Sequence, residues 1–219
     1  MLTYNDIKND KAIRAYIMKA DESLLALGYT EHSFAHVTKA AHTVRYILST
    51  LGYSEREVEL GCIAAYMHDI GNLVNRVDHS QSGAIMAFRI LDRLGMDAEE
   101  LATVVTAIGN HDEGTGVPVS PIAAALILAD KSDVRRSRVR NADVSTFDIH
   151  DRVNFSVTDT DLAIDKEAKS ITLNMTIDTK YSSVTDYFEI FLGRMILCRK
   201  AANALGLEFR FIINGQQMM

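Results

Sequence analysis

Apolar residues recur every three to four positions through the first two thirds of the chain and every second position after that. Val37, Ala40, Ala41, Val44, Leu48 and Leu51 fall on one helical face, so an amphipathic helix is predicted over 36–51, stopped by Gly52. A helix over 6–27 is predicted before it, ending at Gly28. Ser54 and Glu57 have the spacing of a capping box. The helix behind them carries Val58, Cys62 and Ala65 up to His68 and Asp69. Two more helices are predicted, one over 80–94 through Ala84, Phe88 and Leu91. The other, capped by Asp97 and Glu100, runs through Leu101, Val104, Val105 and Ile108. "GNHDEGTGVPVS", 109–120, reads as a loop by its glycines and Pro118. Ser120 and Pro121 then supply a capping side chain and a preset first residue. They open a helix, "IAAALILADKSDVRRSRVR", that is apolar first and basic last.

After residue 145 the period shortens. "RVNFSV" (152–157) alternates, and "ITLNMTI" (171–177) alternates cleanly, with Ile171, Leu173, Met175 and Ile177 on one side. The turn-like "DKEAKS" suits a hairpin between "DLAID" and "ITLNMTI". A helix over 184–205 keeps Phe188, Phe191, Met195, Cys198, Ala202 and Leu205 in register, and "EFRFII" closes as a strand. The predicted fold is mainly α: a helical bundle over 1–145, then a small α+β piece of order β-β-β-α-β over 146–219. No Gly/Ser/Pro-rich linker separates the two. A strand edge of the second piece is the expected place for a homodimer contact.

Composition narrows the function classes. With 47% apolar and 24% charged residues, the 219-residue chain has the balance of a globular protein, not of a disordered or fibrous one. A net charge of -6 argues against a general nucleic-acid binder. Cys62 and Cys198 sit in apolar helical text and read as buried hydrophobes, not as a disulfide framework. The first residues lack the apolar core of a signal peptide, and no apolar run is long enough to span a bilayer. A cytoplasmic protein without a membrane partner is therefore expected.

Six residues stand out for chemistry. His68 and Asp69 end one helix, His36 begins another, His79 precedes a third, His111 follows a fourth, and Asp130 lies inside "ALILADKSD". An aspartate in such apolar text needs a partner. Imidazoles and carboxylates together hold divalent transition metals, and a bound metal lowers the pKa of its water. His42 and His150 read as hydrogen-bonded structural histidines. His32, four residues before His36, is a secondary candidate.

The ordered set of His36, His68–Asp69 and Asp130, with "HDIG" and "LADKSD" around it, resembles the signature of the HD-domain superfamily of metal-dependent phosphohydrolases over about residues 30–140. The resemblance implies an HD-domain helical bundle. His36, His68, Asp69 and Asp130 would bind one metal, and Asp69 would bridge to a second held by His79 and His111. This binuclear arrangement places Asp69 and His68 at the catalytic centre. It implies one or two divalent ions, with Fe, Mn, Zn, Ni and Co all suited and Mg not set aside. The implied reaction is hydrolysis of a phosphomonoester or phosphodiester, in a nucleotide or another small phosphorylated metabolite, by a metal-activated hydroxide. "HDEGTGVP" is similar in part to the loop of HD-GYP cyclic-dinucleotide phosphodiesterases, but the GYP tripeptide is absent.

One position departs from the family pattern. Many members carry a lysine after "HDIG" that helps bind phosphate; here the residue is Asn72, which brings no charge. Asn72 itself, Arg76, Lys131 and Arg135 are the expected substrate-binding residues. Lys131, Arg135 and Arg138 are expected to share a helical face, read either as phosphate-binding or as a solvated basic surface. Glu113 ranks behind these as a loop carboxylate. Two other functions remain open: a di-iron HD-type oxygenase with the same ligand types, and a non-catalytic nucleotide- or metal-binding regulatory protein.

Overall fold

A computed structural model describes residues 1–219. Nine helices and one four-stranded sheet share a single apolar core that runs from Ile7 to Ile213. The chain begins with α1 (Tyr4–Asn9) and α2 (Lys11–Ala26). The single helix predicted over 6–27 is thus two, because Asp10 leaves the helical conformation and caps α2 through the amides of Ala12 and Ile13. Helix α3 (Phe34–Leu51) starts on Ser33 and ends at Gly52, whose φ of 85° is the left-handed conformation that favours glycine. Helix α4 (Glu55–Met67) has the predicted capping box of Ser54 and Glu57. A 3-10 turn (Ile70–Leu73) follows, then α5 (His79–Arg93), α6 (Ala98–Gly109) and α7 (Pro121–Lys131).

Helix α7 is buried on every side from Ile122 to Ala129, as its uniformly apolar text demands, and is the axis of the molecule. It stops at Lys131. The predicted continuation to residue 140 fails, and with it the shared face of Lys131, Arg135 and Arg138. The backbone at Arg135 is extended, and the Arg138 guanidinium folds back to donate to the carbonyls of Glu31 and Asp133. Those long-range bonds replace the helical ones.

The second correction concerns "RVNFSV". Asp148 accepts from the amide of Asp151 and caps a short helix, α8 (Ile149–Ser156). The strand begins only at Val157. Strand β1 (Val157–Asp165) pairs antiparallel with β2 (Ser170–Ile177), as the hairpin reading predicts. Helix α9 (Val184–Ala204) crosses over to β3 (Glu208–Ile213), which pairs parallel to β2, and β4 (Gln216–Gln217) adds a short edge. The order after residue 145 is therefore α-β-β-α-β-β, and the molecule is helix-rich with a sheet rather than an all-α bundle.

Helix α9 is sandwiched. Phe191, Met195 and Cys198 are buried, and the helix packs against both α7 and β3. This contact continues the core of the helical part into the C-terminal piece. No helix of the molecule is long and apolar enough to cross a membrane.

Candidate metal centre

Helix ends bring six side chains to one point. His36 enters from the first turn of α3 and His68 caps α4, with Asp69 just beyond it. His79 opens α5, His111 follows α6, and Asp130 ends α7. Four of the imidazoles, together with Asp69, are essentially inaccessible, and Asp130 is only slightly less so.

Each imidazole is oriented by its Nδ1. His68 donates from Nδ1 to the carbonyl of Ala65 at 2.7 Å, and His111 to that of Ile108 at 2.6 Å. His36 Nδ1 lies 2.8 Å from the Asp133 carboxylate, and His79 Nδ1 lies 3.2 Å from the carbonyl of Arg76. With Nδ1 committed to these acceptors, each Nε2 is turned into the cluster. The Nε2 atoms face one another: His36 and His68 at 3.3 Å, His79 and His111 at 3.2 Å. These nitrogens and the carboxylate oxygens beside them are the donor atoms that a cation would bring together.

Asp69 lies between the two imidazole pairs. Its Oδ2 is 3.6 Å from His36 Nε2 and 3.3 Å from His68 Nε2, while its Oδ1 is 3.4 Å from His79 Nε2. Oδ2 is buried with no hydrogen-bond partner. Asp130 Oδ1 closes the first group, 3.3 Å from His36 Nε2 and 3.6 Å from His68 Nε2. Two triads, His36–His68–Asp130 and His68–Asp69–His111, bring their ligand atoms within 4.8 Å of one another. An orphaned carboxylate oxygen among converging lone pairs is the donor set a divalent cation satisfies, so these residues fit a metal.

The electrostatics agree. Burial opposes charge on His68, yet Asp69 and Asp130 outweigh it and lift its pKa to about 10. The carboxylates thus hold a proton where a cation would serve them better. His111 is held well below the usual imidazole range by burial and by the neighbouring His68 and Lys131. Burial likewise lowers His79, and Arg76 adds to the effect. Asp130 is held low despite burial, chiefly by Lys131.

Gly71 sets the distance between the two ends of the cluster. A Cβ there would lie 1.9 Å from the His79 carbonyl oxygen and 2.4 Å from the Gly83 nitrogen. Only glycine allows the turn after Asp69 to touch α5 and bring His79 into line.

Above the ligands is a space of about 10 Å³, room for one small group, bounded by His32, Arg76, Lys131, Arg138 and Arg194. It adjoins a cavity of about 460 Å³ that shares His32, Arg76, Arg138 and Arg194 and reaches Tyr29, Asp148, His150 and Phe191. The largest groove, about 880 Å³, lies elsewhere, between α3 and β1. It contains none of the six ligands, and chemistry marks the smaller space as the site.

Of the four expected substrate-binding residues, Arg76 and Lys131 border this space. Asn72 does not. It is buried, and its amide donates to the backbone and side chain of Asp69, both at 2.9 Å, so it orients the Asp69 carboxylate. Arg135 is turned away too, paired with Glu31 and Asp133 at 3.0 Å each.

Sequence reasoning missed Asp133 and Arg194, and it named Arg138, which borders the site, only as part of a helical face that does not form. Asp133 buttresses His36 from three residues past Asp130, a spacing that could have flagged it. Arg194 has no local signal: it reaches the site only because α9 packs on α7.

Residues 33–138 match the HD domain family model. An uncharacterised protein of Methanocaldococcus jannaschii is 25% identical over 162 residues, which cover 64% of this chain and 62% of that protein. The chain therefore spans less than two thirds of that relative's length. A crystal structure of a predicted HD superfamily hydrolase from an uncultured Thermotogales bacterium is 24% identical, with a TM-score of 0.46 over 57% of this chain and 68% of that one.

Proposed function

The chain belongs to the HD-domain superfamily through residues 33–138, and from that premise we propose that it is a metal-dependent phosphohydrolase with a binuclear centre. Its substrate is a phosphate ester of a nucleotide or another small metabolite. The observation that carries this reading is the convergence of four Nε2 atoms and the orphaned Asp69 Oδ2 beneath a wall of cations.

His36, His68, Asp69, His79, His111 and Asp130 would hold a divalent metal, which would supply Lewis acidity toward water and phosphate oxygen. The chain's own residues prepare the rest. Asn72 holds the Asp69 carboxylate so that its two oxygens face opposite imidazole groups. Asp133 and the carbonyls of Ala65 and Ile108 accept from Nδ1, which turns each Nε2 toward the centre. Arg76 and Lys131 offer positive charge to phosphate oxygens, and charge-assisted bonds of this kind are the strong ones. The enclosed floor limits water to what the small space admits.

The test is metal content per chain, on protein purified without chelator, for wild type and His79→Ala, alongside hydrolysis of p-nitrophenyl phosphate and a nucleotide panel. About two ions falling to about one, with hydrolysis lost, is the expected result. One ion in both proteins overturns the binuclear assignment. Paired iron with oxygen uptake and no phosphate release replaces the hydrolase with an oxygenase.

A further inference from the structure

The chain lacks a lysine after "HDIG", and Asn72 in its place is committed to Asp69. The charge that meets a phosphate must come from elsewhere. Arg194, on α9 and outside the HD domain, borders both the small space over the ligands and the larger cavity. Its guanidinium stacks on Phe191, 4.1 Å from the ring centroid, and is largely shielded from solvent. The stack presets the plane of its donors.

One carboxylate now occupies these cations. Glu113, on the loop after His111, accepts from Lys131 at 2.6 Å through one oxygen and from Arg194 at 3.1 Å through the other. Lys131 in turn lies 2.7 Å from Asp130, so a single ammonium separates the Glu113 carboxylate from a ligand of the centre. A group with two anionic oxygens, bridging one lysine and one arginine beside the metal ligands, stands where a substrate phosphate has to sit.

We propose that Arg194 and Lys131 form the phosphate clamp of this enzyme, and that Glu113 is the placeholder the phosphate displaces. The inference rests on the phosphohydrolase reading. Glu113 is on a glycine-containing loop, with Gly114 and Gly116 beyond it, and is partly exposed, so it can leave without unpacking the core. A carboxylate that competes for the clamp weakens phosphate binding; a carboxylate that only props the clamp strengthens it. The sign of the effect at residue 113 separates the two roles.

The experiment is calorimetric titration of inorganic phosphate into the metal-loaded full-length protein, for wild type, Arg194→Ala, Glu113→Gln and the control Arg199→Ala on the exposed side of α9. Hydrolysis of p-nitrophenyl phosphate is followed in parallel. Arg194→Ala is expected to raise the phosphate Kd about tenfold. Glu113→Gln is expected to lower it several-fold, and Arg199→Ala to leave it unchanged. Equal Kd values for Arg194→Ala and Arg199→Ala overturn the clamp, as does a wild type that binds no phosphate. Any change in Glu113→Gln other than tighter binding overturns the placeholder. If Arg194→Ala fails to fold, Arg194→Lys takes its place, since a lysine keeps the charge without the fork; an unchanged Kd then overturns the need for the guanidinium. Wild type that hydrolyses the ester while Arg194→Ala binds phosphate normally sinks this inference alone. The expected Kd shifts without any hydrolysis sink the phosphohydrolase reading alone.

Discussion

The floor and the rim of the site are built on different rules. Four of the six floor residues are buried with a second bond that fixes their orientation: Asp133 for His36, the Ala65 carbonyl for His68, the Ile108 carbonyl for His111, Asn72 for Asp69. The rim residues Arg76, Lys131 and Arg194 come from a turn, the end of α7 and α9, and two of them are neutralised by one exchangeable carboxylate, Glu113. The floor is preset for a cation that stays. The rim is poised for an anion that comes and goes. Rigidity is concentrated where the ligand is permanent, and exchangeable ion pairs where it is transient.

The largest effect should come from the floor itself. Asp69→Ala removes the one side chain shared by both imidazole groups and is expected to abolish bound metal and lower hydrolysis by at least about 10³-fold. Retained metal with normal turnover would make the bridge irrelevant. Gly71→Ala comes next. Its added methyl meets backbone atoms of His79 and Gly83, so α5 has to move, and the expected outcome is loss of one ion with a clear drop in Tm. An unchanged metal count would mean that the floor is less preset than its hydrogen bonds imply.

At the rim the effect should be smaller and of another kind. Arg76→Ala is expected to raise KM about tenfold and leave metal content unchanged. Loss of metal in that variant would erase the distinction between floor and rim. The smallest effect lies far from both. Glu59 ties the start of α1 to α3 through the Tyr4 amide and Arg45, each at 2.7–2.8 Å. Burial opposes its charge, but Arg45 and the Tyr4 amide outweigh this and hold its pKa below the usual glutamate range. A depressed folded pKa stabilises above the unfolded value near 4.5 and loses that contribution as pH falls through the folded value. Glu59→Gln should therefore cost less than about 1 kcal/mol near neutral pH and nothing once the carboxyl is protonated. Urea melts at two pH values measure the difference, with no change in metal content.

Much of the floor was legible because its signals are local. His68–Asp69 and Gly71 are adjacent, and helix ends are marked by caps such as Ser33, Ser54 and Ser120 that short-range chemistry explains. Asp130 stood out because apolar text does not tolerate a lone carboxylate. Asn72 and Arg135 were misjudged for the opposite reason. Proximity in sequence to the ligands suggested contact with phosphate, but Asn72 is taken by Asp69 three residues before it, and Arg135 by the neighbouring Asp133 and the distant Glu31. The strand expected at "RVNFSV" failed because the alternation of Val153, Phe155 and Val157 ignores the cap at Asp148.

What the chain determined by itself was therefore most of the helices, the apolar stripes that bury them and the candidate metal-ligating residue types, all of which follow from periodicity, caps and the cost of burying charge. Tertiary structure alone decided that α7 stops at Lys131, that Asp133 orients His36, and that Arg194 faces the site. Each of these depends on which distant group arrives first at an unsatisfied atom. Arg138 reaching back to Glu31, and α9 packed against α7, are contacts between segments about a hundred and about seventy residues apart, and no local pattern encodes them.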